Sequence, residues 1–250
     1  MKTRSLILPV LLLTAVTFFT SCSEFAKKMA MKAVSESAEF EKEDTAKWGH
    51  IVEQEIDLSA FTSIDAKGAV RVVFTQDSVC SLRVRGNEKC ISEYDFVVRH
   101  DELNVAPKDF NGSVMKSTPA VTLFITAPNL SDIEFSGAGQ LDMPEAVSLT
   151  GPLEIEMAGA GEISINDLTL SSLQIEIDGA GKCNLAKVTA SDDIEIEVNG
   201  AGEVNANVFC QDLSVELNGA GDAVLSGECK GTFTCDQHGA SKVETSNLKR

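Results

Sequence analysis

The sequence predicts an all-β fold, a single-chain right-handed parallel β-helix (β-solenoid) with coils of about 20 residues. Three observations carry that expectation. The tripeptide Gly-Ala-Gly recurs at Gly137–Gly139, Gly159–Gly161, Gly179–Gly181, Gly200–Gly202 and Gly219–Gly221, with a degenerate copy at Gly239-Ala240-Ser241. Successive copies start 22, 20, 21, 19 and 20 residues apart. Around every copy apolar and polar residues alternate in steps of two, and no helix-period run follows any of them. Each repeat is therefore one coil that cannot bury its own apolar face and must stack on the next. A propeller blade would need about 40 residues per repeat.

Alignment on the first Gly defines the core. Four residues before it stand Ile133, Ile155, Ile175, Ile196, Val215 and Cys235; two before it stand Phe135, Met157, Ile177, Val198, Leu217 and Gln237. Four residues after it come Leu141, Ile163, Cys183, Val204, Ala223 and Val243. One face of every strand thus enters a shared core. Cys235 and Gln237 break the pattern in the last copy, as expected of a terminal coil. The glycines mark stacked corners, where a missing Cβ permits tight turns. A phosphate-binding loop needs a strand-to-helix transition, which is absent after each copy.

Upstream, the chain reads as strands without the marker: Val70–Phe74, Ser81–Arg85, Asp95–Arg99 and Glu102–Val105, with His100-Asp101 as a turn. Lys67-Gly68-Ala69 is an eroded copy of the tripeptide. A loop runs from Asn111-Gly112 to Pro119, and Val121–Ile125 leads into the regular repeats at 131–243.

Residues 1–21 read as a lipoprotein signal peptide. Lys2 and Arg4 precede an apolar run from Leu6 to Phe19, and Phe19-Thr20-Ser21 then stand before Cys22. This order resembles a bacterial lipobox, in which the cysteine thiol receives a diacylglycerol. The apolar run falls short of the about 20 residues a spanning helix needs, so membrane attachment is expected through the lipid on Cys22. Residues 22–47 form a polar, lipid-anchored tether, and the globular domain occupies 48–250.

The chain carries 38 acidic and 21 basic residues, a formal net charge of −17. That balance excludes nucleic acid, whose phosphates require Lys and Arg. Six of the seven cysteines follow Cys22, an even number in an exported chain. Cys80 and Cys90 flank an expected turn at Arg85-Gly86-Asn87. Cys210 and Cys229 each stand ten residues after the first Gly of their repeats, hence on adjacent coils. Cys80–Cys90 and Cys210–Cys229 are accordingly the candidate disulfides. Cys183 and Cys235 fall in core columns as buried thiols. No Cys or His spacing fits a zinc site, and neither a metal nor a cofactor is expected.

The most distinctive outward column lies three residues before each first Gly: Glu134, Glu156, Glu176, Glu197, Glu216 and Asp236. Stacked about 4.8 Å apart, such carboxylates raise one another's pKa unless a cation or a Lys intervenes. The column is a candidate cation ladder or, as the plainer alternative, a charged face that blocks sheet aggregation. The column directly before the first Gly (Ser136, Ala158, Asp178, Asn199, Asn218, His238) suits a structural use at corners, because Asn and Asp tolerate left-handed backbone and bond locally. No catalytic residues are expected. Coil spacing is too uniform for long active-site loops, Arg250 is the only arginine after Arg99, and the ladder offers similar rather than contrasting carboxylates.

The segment Phe61-Thr62-Ser63-Ile64-Asp65-Ala66-Lys67-Gly68-Ala69-Val70-Arg71-Val72, the stretch Leu82-Arg83-Val84-Arg85-Gly86-Asn87-Glu88 and the Gly-Ala-Gly series together resemble the head GIN domain family of auto-transporter adhesins. That resemblance implies an extracytoplasmic β-helical domain, commonly behind a lipoprotein signal in Gram-negative bacteria of the Bacteroides type. The expected function is a cell-envelope lipoprotein with a non-catalytic binding or adhesion module for a protein or glycan. It would be anchored to the outer membrane, with the periplasmic or surface side left open. A periplasmic structural or envelope-homeostasis protein is the alternative, and a polysaccharide-active enzyme the weaker one. Nothing in the sequence sets the oligomeric state.

Overall fold

The computed structural model describes residues 45–109 and 120–250. The signal peptide, Cys22, all of the tether up to residue 44 and the loop from Asn111 to Pro119 lie outside the described residues. The chain is a β-solenoid of about six turns, with coils of roughly 21 residues.

A helical turn α1 (Thr45–Trp48) leads into β1 (Ile51–Ile56), β2 (Ser63–Gln76) and β3 (Ser81–Asn87). A short α2 (Glu88–Ser92) follows, then β4 (Tyr94–Arg99), β5 (Glu102–Pro107) and β6 (Val121–Ala127). The regular coils are β7 (Asp132–Ser148), β8 (Leu153–Leu170), β9 (Leu173–Ala190) and β10 (Asp193–Cys210). The last two coils split at the corner into β11 (Asp212–Gly219) with β12 (Asp222–Cys229), and β13 (Phe233–Gly239) with β14 (Lys242–Lys249).

Along the stack from β2 to β7 and on through β14 the coils pair parallel and stay in register through the corner, so each first Gly sits on the first Gly below it: Gly68, Gly137, Gly159, Gly179, Gly200, Gly219 and Gly239. The core fills the inside of the stack. In the column four residues before the corner, Ile64, Ile133, Ile155, Ile175 and Ile196 are fully buried. Outward side chains alternate with them along every strand.

The two glycines of the tripeptide do different work. The first adopts positive φ in each coil, +133° at Gly159, and a Cβ there would strike the carbonyl oxygen of Gly137 below. The second faces inward, and a Cβ at Gly139 would lie 2.6 Å from the ring of Phe135. It vacates space for the large side chain four residues earlier. The first coil inverts this exchange: Ala66 stands over Phe135 and Val70 over Gly139. Total volume is kept while the bulky residue moves across the corner.

The N-terminal end departs from a uniform solenoid. β2 lies between β7 on one side and β5 and β6 on the other, although β5 and β6 come later in sequence. The chain therefore lays down its second coil first, returns to build the coil beneath it, and then resumes. Antiparallel pairs cover that lower coil, β1–β3–β6 on one arm and β4–β5 on the other. The β4–β5 hairpin turns at His100 and Asp101, where the sequence places it, both with positive φ.

Among the described residues no cysteine is joined in a disulfide. The turn expected at Arg85-Gly86-Asn87 is instead the end of β3 running straight into α2. The Cys80 thiol meets the Phe61 carbonyl at 3.6 Å while Cys90 is buried within α2, so this pair is not brought together for a bridge. Cys210 and Cys229 do stack in register with their thiols in contact, as unlinked thiols. Burial first, and the Cys229 thiol second, push Cys210 up to about 12.

Candidate functional site

The acidic column is assembled as the alignment anticipates. Glu134, Glu156, Glu176, Glu197, Glu216 and Asp236 stack one per coil in direct register. The structure adds a rung that the sequence reading missed: Asp65 stands beneath Glu134. Aligning the eroded copy on Gly68 would have found it, three residues before the glycine. Asp65 is only 7% exposed; one carboxylate oxygen accepts from Lys67 Nζ at 2.5 Å, and the other is buried without a partner.

The column beside the first mixes acids with neutral polar residues: Asp132, Glu154, Gln174, Glu195 and Ser214. From β2 to β11, Lys67 is the one basic side chain in the three outward columns before the corner. The electrostatics follow. Burial first, then neighbouring carboxylates, raise the pKa of Asp132, Glu156 and Glu176 above the ordinary range. The hydrogen bond to Asp65, with the charges of Asp65, Glu134 and Glu102, raises Lys67. Lys67 stays charged at any physiological pH.

Amides relieve part of this repulsion. Asn199 Nδ2 donates to Glu197 Oε1 at 2.8 Å and to Asp178 Oδ1 at 2.9 Å. Asn218 Nδ2 repeats the arrangement one coil on, donating to Glu216 Oε1 at 2.8 Å and Asn199 Oδ1 at 2.9 Å. The asparagines before the corner bond locally, each to the carboxylate two residues earlier. They tie the acidic column sideways and one another vertically, because the positive φ resides on Gly200 and Gly219 themselves.

The face after the corner is different. Its first outward column reads Arg71, Gln140, Glu162, Lys182, Glu203, Asp222 and Lys242, mixed in charge. Arg71 pairs with Asp142 at 2.7 Å, and Asn205 bridges Glu203 at 3.0 Å and Asn184 at 3.3 Å. Between the last coils of this face lies an open groove of about 320 Å³, lined by Glu203, Asn205, Asp222, Val224, Lys242 and Glu244 among others.

Among the described residues no three His, Cys, Asp or Glu side chains converge to hold a metal ion. The ladder is a row of single carboxylates and lacks the several oxygens around one point that a calcium cage requires. The three histidines lie apart, His50 ahead of β1, His100 in a hairpin turn and His238 near the end of β13.

The family model for "Putative auto-transporter adhesin, head GIN domain" matches residues 60–187 and 184–250. Solved structures resemble the chain over most of its length. A putative adhesin from Bacteroides fragilis is 20% identical with a TM-score of 0.61, over 78% of this chain and 96% of that one. A putative lipid binding protein from Parabacteroides distasonis is 19% identical with a TM-score of 0.45, over 78% and 97%. No curated protein matches. At these identities the likeness speaks for the fold alone.

Proposed function

The chain belongs to the head GIN domain family, and we propose that it is a non-catalytic binding module of the cell envelope, anchored through a lipid on Cys22. The observation that carries this reading is the one-sided charge of the solenoid. Five regular corners in register hold an unbroken row of carboxylates, Glu134 to Glu216, flanked by acidic and neutral polar columns, and among the described residues no long loop crosses it. Such a face is rigid, flat and repetitive, and it complements a ligand that carries repeated positive charge or hydrogen-bond donors, on a protein or a glycan. Catalysis has little support in it, because the six rungs from Glu134 to Asp236 are chemically alike.

The deciding experiment is protease or antibody accessibility of the solenoid on intact cells, with lysed cells as control. Accessibility places the acidic face outside and supports adhesion. Protection until lysis overturns adhesion and favours a structural role in the periplasm. In the same cells Cys22→Ala should move the protein from the membrane to the soluble fraction, and unchanged membrane retention would refute the anchor.

A further inference from the structure

On its outer side the last coil has no strand among the described residues. Among the described residues β13 has β11 as its neighbour and β14 has β12, so the outer edge of each strand is unpaired. The core columns are also unfinished there. Cys235 and Val243 are half-exposed, and Gln237 takes the place of an aliphatic residue and is exposed. Ser241 replaces the inward glycine, and its hydroxyl is buried without a partner. An open edge of this kind invites a further strand.

We propose that a second copy of this chain covers this end, related by a two-fold axis through the corner at Gly239. Such an axis, perpendicular to the stack, lays β13 antiparallel on the second copy's β14 and the reverse. Residues at equal distances before and after Gly239 then face each other, and the pairs are complementary. Asp236, three before, meets the second copy's Lys242, three after, and both are exposed in the single chain. Gln237 meets the second copy's Ser241, so its amide reaches the buried hydroxyl that lacks a partner. Cys235 meets the second copy's Val243, closing the apolar column. Each contact occurs twice by symmetry, which is the signature of an isologous interface.

The charge pattern favours this occupant. On a chain of net charge −17 the last coil bears Lys242, Lys249 and Arg250 against Asp236 and Glu244. Two copies therefore meet at their least acidic ends, while the carboxylate ladders stay apart. The pairing concerns the distal coil and stands or falls separately from the anchor at Cys22.

The test is sedimentation equilibrium of the full chain in mild detergent, with charge reversals at the predicted pair. A dimer with Kd in the range of about 1–100 µM is expected. Asp236→Lys and Lys242→Asp should each weaken it at least about tenfold, because a single reversal creates two like-charge contacts. The double variant should restore it, and circular dichroism of all three checks that the solenoid is intact. A second measurement reads the register. Val243→Cys should give a reducible dimer through Cys235 on oxidation, lost when Cys235→Ser is added. A monomer throughout that concentration range, or a dimer indifferent to both single reversals, overturns the proposal.

Discussion

At the N-terminal end of the solenoid, antiparallel strands β1, β3 and β4 and helix α2 cover the lowest coil, and Phe61, Phe74 and Val84 are at most 1% exposed. At the C-terminal end, among the described residues, the last coil has a neighbour on one side only, and its inward residues Phe233, Cys235 and Val243 are half-exposed. The Arg250 guanidinium, 4.4 Å from the Phe233 ring, gives this end partial cover. The same coil geometry thus terminates in two ways. A parallel stack has an edge at each end, and an edge can be blunted by a change of strand direction or left for another chain. The N-terminal end uses the antiparallel strands β1, β3 and β4 with α2 for the first solution, whereas the C-terminal end changes a few core residues to polar ones.

The comparison breaks most easily at its aromatic residues. Phe74→Ala should cost about 3–5 kcal/mol, as expected for a fully buried ring, while Phe233→Ala should cost about 1 kcal/mol because its ring is already partly in water. Urea unfolding of both variants measures this, and equal losses would mean that the last coil is as well packed as the first. A corner substitution comes next. Gly159→Ala forces a side chain into positive φ and onto the Gly137 carbonyl, for about 3 kcal/mol or more. Gly221→Ala, in the penultimate coil, puts its Cβ 3.1 Å from the Gly202 carbonyl oxygen and should cost about 1 kcal/mol or less. Thermal melts of the two variants give the contrast.

The smallest effect belongs to the ladder between the two ends. Glu156 and Glu176 have raised pKa values in the folded chain. The folded state therefore takes up protons before the unfolded chain as pH falls, and stability lost at neutral pH is regained on the way down to the ordinary value of 4.5. As pH falls from 7 toward 4.5 the Tm should rise slightly, and Glu176→Gln should flatten that rise. A Tm that falls over this interval in the wild type but not in the variant would show the ladder to be stabilising, contrary to its charge.

The candidate site was partly legible before folding was considered. Six rungs from Glu134 to Asp236 follow from alignment on the tripeptide, because in-register parallel stacking converts equal offsets into vertical neighbours. Asp65 escaped because its copy, Lys67-Gly68-Ala69, lacks the second glycine; the Ala66 and Val70 exchange explains that loss by packing. A structural use of Asn199 and Asn218 was legible, but not their partners, since an amide's preference for corners says nothing about which carboxylate stands beside it. The Cys80–Cys90 pairing failed for a similar reason. Closeness in sequence implied a turn, and burial of Cys90 and Ile91 against the core drew the segment into α2 instead.

What the sequence by itself determined is the repeating unit: coil length, corner position, inward columns and the acidic outward row. These depend on local backbone preference and period-two alternation, which any 20-residue window displays. Tertiary structure alone decided the order of the coils at the start, where β2 is laid between strands that follow it, and the unequal finish of the two ends. Both depend on which distant edges meet, and strand pairing over long separations leaves no mark on the local pattern that specifies each strand.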